Sequence, residues 1–198
     1  MKKAILKSQI RDNVRKQRML LTKEQIEEAA SILADHVITD GSPEIMEKVA
    51  NAKTIALYRA VNGELSCDAI SKFFIENGKT VCFPRVKGET MDFYEIKDFD
   101  ADFSIGSYDI PEPKTDMRKV YPSDIDLIFV PAVAYTEGGA RLGQGGGYYD
   151  RYLNQYGAGK KPITVGICYD FQIYSALPVE GHDYTVDYVL CVSCEEKK

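Results

Sequence analysis

Apolar residues recur at two different periods along this chain, and the change from one to the other falls at Lys53. Leu6, Ile10 and Val14 return at helical spacing, which predicts an amphipathic helix over residues 3–20. Lys7, Arg11 and Arg15 repeat at the same interval on an adjoining stripe, and Arg18 continues it. Thr22-Lys23-Glu24-Gln25 reads as a capping box that opens a second helix, with Ile26, Ala29, Ala30, Leu33 and Val37 turned inward. Gly41-Ser42-Pro43 ends that helix and begins a shorter third one.

From Lys53 onward, short β-branched and aromatic runs replace the helical period. Residues 54–58, 80–84, 91–96, 126–131, 163–168 and 186–191 are predicted as strands, and 126–131 is the most continuous of them. The 91–96 strand is expected to pair back across a turn at Lys87-Gly88. A helix capped by Ser66 runs to about Asn77, where Gly78 stops it, and another spans 148–156. Residues 98–124 are acidic, carry Pro111, Pro113 and Pro122, and are expected to form a long surface loop. Strands alternating with helices require right-handed crossovers. The predicted fold class is therefore α/β: a mainly parallel sheet flanked by helices, one domain over residues 1–198, with N-terminal helices in 1–50 packed on it.

In such sheets ligands bind beyond the carboxyl ends of the strands, and the segment after Pro131 begins at one of those ends. Six of the chain's 15 glycines fall within residues 138–147. Glycine lets backbone N–H groups curl around an anion, and the helix that follows adds unpaired N–H groups and a positive dipole end. Arg141 can add a bidentate, permanently charged contact to a phosphate. Neither common nucleotide signature is present: no Gly-Lys-[Ser/Thr] closes the loop, and Gly143-Gln144-Gly145-Gly146-Gly147-Tyr148 lacks the third glycine of G-x-G-x-x-G. The plain alternative is a flexible strand-to-helix connection. Against it stand two guanidiniums, two aromatic rings and a carboxylate, all between Arg141 and Arg151. Asp150, in the first turn of the following helix, suits the helix dipole. It would also suit Mg²⁺ held against phosphate oxygens. A second acid is then wanted, and Asp170, Asp183 and Asp187 are all open by position.

Charge and cysteine content narrow the class. Residues 1–21 hold seven Lys or Arg against Asp12, a local balance of +6 within a net −5, so the remainder carries −11. An acidic body disfavours nucleic acid, whereas a confined basic segment can meet a small polyanion or simply face solvent. No apolar run approaches the ~20 residues that span a bilayer, and the N-terminus lacks a secretory apolar core, so a cytoplasmic protein free of membrane is expected. Cys67, Cys82, Cys168, Cys191 and Cys194 are odd in number and scattered, which reads as reduced thiols. Cys191 and Cys194 form a lone C-x-x-C; a zinc site would need two more ligands, His36 and His182 are the only histidines, and the motif is incomplete as a zinc or redox signature.

The stretch 126–153, with Pro131 and the run Arg141-Leu142-Gly143-Gln144-Gly145-Gly146-Gly147-Tyr148-Tyr149-Asp150-Arg151, resembles the signature of the 5-formyltetrahydrofolate cyclo-ligases. The likeness extends over nearly the whole chain. Lys7 and Arg11, the segment from Tyr58 to Glu64, Phe83-Pro84-Arg85, the segment from Tyr108 through Asp109 to Pro113, and His182-Asp183 fall in the family's order. Gln144 stands where an aromatic or basic residue is frequent, and Leu65-Ser66-Cys67 follows Glu64 where a Val-Asp-Thr-like run is common. The resemblance implies that Lys7, Arg11, Arg141, Leu142, Gly143, Gln144, Gly145, Gly146, Gly147, Tyr148 and Tyr149 bind ATP. It implies that Asp150 and Asp183 hold Mg²⁺, and that Arg59, Glu64, Gln144 and Tyr148, with Tyr149, face the folate. Arg141, Tyr149 and Asp150 would carry the reaction, in which ATP phosphorylates the formyl oxygen of 5-formyltetrahydrofolate. N10 then attacks, and 5,10-methenyltetrahydrofolate, ADP and phosphate result. A monomer acting on the folate, polyglutamylated or not, is the expected working form.

Two other classes suit an α/β phosphate-binding chain: a sugar-phosphate isomerase or coenzyme A transferase, and a nucleotide-binding module without turnover. Formation of ADP separates the first, and folate-dependent hydrolysis separates the second.

Overall fold

The computed structural model describes residues 2–106, 110–156 and 160–194, and Tyr108 and Asp109 of the motif above lie outside them. Among these residues three helices come first: α1 (Lys2–Leu20), α2 (Lys23–Ile38) and α3 (Pro43–Asn51). The Thr22 capping box forms as expected, with the Gln25 N–H donating to Thr22 Oγ1 at 3.2 Å and the Thr22 N–H to Gln25 Oε1 at 3.0 Å. Ser42 caps α3 in front of Pro43. Of the predicted inward residues on α1, Ile10 and Val14 are buried but Leu6 is exposed. Their third companion is Arg18, four residues beyond Val14 and 6 % exposed. Arg15 points outward and pairs with Asp12.

The central sheet comprises β1 (Thr54–Ala56), β2 (Thr80–Lys87), β3 (Thr90–Ile96), β6 (Lys119–Val120), β7 (Leu127–Val130), β10 (Ile163–Tyr169) and β11 (Tyr188–Val192), in the order β11-β10-β7-β1-β2-β3-β6. The run from β11 to β2 is parallel throughout, and β3 and β6 add antiparallel pairs at one edge. All four residues of β7 are buried and alternate between layers. Leu127 and Phe129 join the layer under α2–α4, whereas Ile128 and Val130 join the layer under α5 (Tyr148–Asn154). Helix α4 (Asp68–Glu76) has Cys67 at its N-cap with no side-chain cap, one residue later than the predicted Ser66, whose Oγ accepts the Asp68 N–H.

Two predicted loops contain structure. Within 98–124, β4 (Phe103–Ile105) pairs with β5 (Pro111–Pro113), and β6 follows. After Pro131, β8 (Ala134–Tyr135) and β9 (Arg141–Leu142) form a small hairpin, so Gly138 and Gly139 belong to its turn and only the second glycine group forms the loop into α5. This hairpin is packed against β10 at one sharp point. A Cβ on Gly166 would stand within 3.0 Å of three ring atoms of Tyr135, a fully buried ring whose hydroxyl donates to the Val130 carbonyl. The ring cannot retreat without breaking that bond. Gly166→Ala should therefore destabilise the fold by about 2–3 kcal/mol, a fall of roughly 4–12 °C in Tm. An unshifted thermal melt would show that the contact is slack.

No helix among the described residues is long and apolar enough to cross a membrane. All five cysteines are free thiols, as their scatter suggested.

Candidate active site

A cavity of about 460 Å³ opens beyond the carboxyl ends of β1 and β7 and along the later half of β2, where Tyr58, Pro131 and Pro84 stand in its wall. Pro111 and Glu112 of β5 form another wall, so the supposed surface loop covers the site. Of the residues singled out from sequence, Arg59, Glu64, Arg141, Gly143, Gln144, Gly146, Gly147, Tyr148, Tyr149 and Asp150 line this cavity. Lys7, Arg11, Leu142, Gly145 and Asp183 do not. The glycine loop stands between the two groups.

Glu64 is set by the turn before it. Asn62 and Gly63 both take positive φ, at 51° and 74°, the conformation that an Asn-Gly pair tolerates and most residues do not. The turn closes through the Glu64 N–H to the Val61 carbonyl at 3.0 Å, and the Val61 N–H returns to Glu64 Oε2 at 3.3 Å. Glu64 Oε1 also accepts from Arg18 Nη1 at 3.4 Å and Gln144 Nε2 at 3.3 Å. Burial pushes this carboxyl above the usual carboxylate range, while Arg18 and these donors pull the other way. Sequence reading left Arg18 out of the site. Its signal was its position in register with Ile10 and Val14, which turns a basic residue toward the core.

Arg59 is held by cation–π contact over Phe99 and Phe103, at 4.5 and 4.8 Å, with Asp68 Oδ2 at 3.5 Å from Nη1. Arg141 leaves β9 with a side chain 2 % exposed, and its Nη2 donates to Asp150 Oδ1 at 2.6 Å. The same oxygen accepts the Tyr184 N–H at 2.9 Å, which brings the 180–184 segment against α5. Asn154 adds a second tie, to the His182 carbonyl at 2.9 Å. The Tyr149 hydroxyl is buried with no hydrogen-bond partner among the described residues, and burial pushes its ionisation far up, so it stays protonated. Tyr148 and Arg151 clip α5 to the β2–β3 turn through the Gly88 and Glu89 carbonyls.

The loop itself needs its glycines. Gly145 and Gly147 take φ of 111° and 66°, and among the described residues no carbonyl or side chain accepts from the N–H groups of Gln144 to Gly147. Arg11 lies across its outer side, with Nε donating to the Gly143 carbonyl at 2.9 Å. Lys7 reaches further, to Glu180 at 3.1 Å and Asp183 at 3.2 Å. Burial opposes its charge, but these two carboxylates hold its ionisation above the usual lysine value. Leu142 turns into the small core under α1 with Ile10 and Val14, so only its backbone faces the loop.

Carboxylate donors suit a hard divalent ion. Asp150 spends both its hydrogen bonds on Oδ1, and Asp183 takes Lys7 and the Glu180 N–H on Oδ2, so each keeps one oxygen outside these bonds. Asp183 also stands with Glu180 and His182, three ligand atoms lying within 4.8 Å of one another. Sequence reading did not single out Glu180, for which an exposed acid in a loop carries no distinguishing mark.

Comparison with known proteins finds a family match over most of the chain. The model of the 5-formyltetrahydrofolate cyclo-ligase family matches residues 3–192. A 5-formyltetrahydrofolate cyclo-ligase of Haemophilus influenzae is 33% identical over 180 residues, covering 89% of this chain and 92% of the relative. The Escherichia coli K12 protein of that name is 31% identical over 183 residues, covering 91% of this chain and 97% of its own. The solved 5,10-methenyltetrahydrofolate synthetase of Aquifex aeolicus superposes with a TM-score of 0.78 at 30% identity, covering 96% of this chain and 91% of that one.

Proposed function

The chain belongs to the 5-formyltetrahydrofolate cyclo-ligase family, and from that premise we propose how its residues divide the work of ATP-dependent conversion of 5-formyltetrahydrofolate to 5,10-methenyltetrahydrofolate. The observation that carries the assignment is the loop: among the described residues nothing accepts from its N–H groups between Gln144 and Gly147, it lies between the guanidiniums of Arg11 and Arg141, and it rims the cavity. Such a loop suits a triphosphate. The cavity on its inner side suits the folate, with Arg59, Glu64, Gln144 and Tyr148 in contact with it.

The γ-phosphoryl group passes to the formyl oxygen, N10 attacks the formyl carbon, and phosphate leaves. Phosphoryl transfer asks the protein for alignment and for fixed positive charge. Arg141 supplies that charge from a buried position, and the free Tyr149 hydroxyl donates a hydrogen bond to the oxygen on which charge develops. Asp150 and Asp183 would hold Mg²⁺, which neutralises phosphate charge when bound. Lys7 then balances the acids around Asp183, and Arg11 fixes the loop. The enzyme works as a cytosolic monomer and accepts the folate with or without a polyglutamate tail.

The test is the absorbance of methenyltetrahydrofolate forming from 5-formyltetrahydrofolate in the presence of ATP and magnesium, with ADP measured in parallel. One ADP per product is expected. Product without ATP, or ADP without product, would overturn the reading.

A further inference from the structure

Arg18 sits in the last turn of α1, and its guanidinium is buried beside the cavity. Nη2 donates to the Ala132 carbonyl at 2.9 Å and Nη1 to Glu64 Oε1 at 3.4 Å; Ala132 and Glu64 both line the cavity. The helix end fits the Asn62–Gly63 turn closely, since a Cβ on Gly63 would stand 3.2 Å from both the Arg18 carbonyl oxygen and its Cβ. A buried guanidinium costs several kcal/mol of desolvation unless it is paired, and an Ala132 carbonyl alone would not compensate it. The carboxylate is therefore the partner that makes this position tenable.

We propose that Arg18 is a positioning residue for Glu64. It holds that carboxylate at the cavity wall for the folate. This rests on Glu64 facing the folate, as proposed above. Tyr58, Cys67, Tyr135, Tyr149 and Tyr169 feel the Glu64 charge, and burial first of all pushes the ionisation of each upward. They stay neutral near pH 7, which leaves Arg18 as the charge that opposes the burial of Glu64.

The experiment measures KM for each substrate, and the pH profile of kcat/KM for the folate, in Arg18→Met, Arg18→Lys, Glu64→Gln and the paired variants. Arg18→Met should raise the folate KM roughly tenfold and leave the ATP KM unchanged. Its acid limb should move to higher pH, because a carboxyl without the guanidinium ionises later. Arg18→Lys, which keeps the charge without the fork, should show a smaller rise. In the Glu64→Gln background neither change at Arg18 should add further loss. Melting curves run beside the kinetics, and should Arg18→Met not fold, the Arg18→Lys cycle carries the test alone. An equal loss with and without the Glu64 carboxylate, or a rise in ATP KM instead, would overturn the proposal and leave Arg18 a packing anchor. A wild-type folate KM in Glu64→Gln would instead remove Glu64 from the folate subsite, a failure of the underlying assignment.

Discussion

Arg141→Ala is expected to cost about 10²–10³-fold in turnover with an accompanying rise in the KM for ATP. The size follows from where the guanidinium lies. At 2 % exposure it is already desolvated, so its field on a transferring phosphoryl group is weakly screened. The substitution also strips Asp150 of its cation, leaving a carboxylate with the Tyr184 N–H alone. That second effect should lower stability by about 3 kcal/mol, or roughly 6–12 °C in Tm, and must be separated from the first. Ligand-induced stabilisation separates them. Saturating ATP at about a hundredfold over Kd adds about 2.7 kcal/mol to a protein that binds it, and the alanine variant should lose most of that increment whatever its starting Tm. Arg141→Lys restores a charge but not the planar fork, and should recover stability before it recovers rate. Wild-type kinetics in Arg141→Ala would take the loop out of the site.

The contrast between Arg141 and Arg18 shows what the sequence could reveal. Arg141 lies in a dense local run, and its partner Asp150 is nine residues away, so one look at residues 141–151 brings both into view. Arg18 has its carboxylate 46 residues away, across a turn that only the folded chain closes. Read in isolation, a basic residue on an amphipathic helix belongs to the solvated face, which holds for Arg15 and fails for Arg18. The fold was legible for a similar reason: β7 and β10 are continuous apolar runs buried on both faces, a pattern few alternatives produce. β4, β5 and β6 were missed because strands of three, three and two residues are too short to show a period. β5 also begins and ends in proline, which argues against a strand until an edge partner such as Phe103–Ile105 is known. The β8–β9 hairpin was hidden by the glycines themselves, because Gly138 and Gly139 turn a hairpin while Gly143 to Gly147 form the loop, and composition does not distinguish the two uses.

Asp150→Asn tests the metal assignment with the least disturbance to the fold. Asparagine matches aspartate in shape, and its carbonyl oxygen can still accept from both Arg141 and the Tyr184 N–H, which converge on one oxygen in the native chain. What is lost is the negative charge. The magnesium concentration giving half-maximal rate should therefore rise about tenfold or more, since a neutral amide is a poor substitute for a carboxylate toward a hard divalent ion. Binding of ATP without metal should move in the opposite direction. The carboxylate no longer repels the triphosphate, and Arg141, freed from its counter-ion, offers its full charge to the phosphates. These opposed signs distinguish a metal ligand from a residue that merely holds Arg141 in place, for which both measurements would worsen together. A magnesium titration identical to that of the native enzyme would exclude Asp150 from the metal site and leave the Arg141 pair as its whole role.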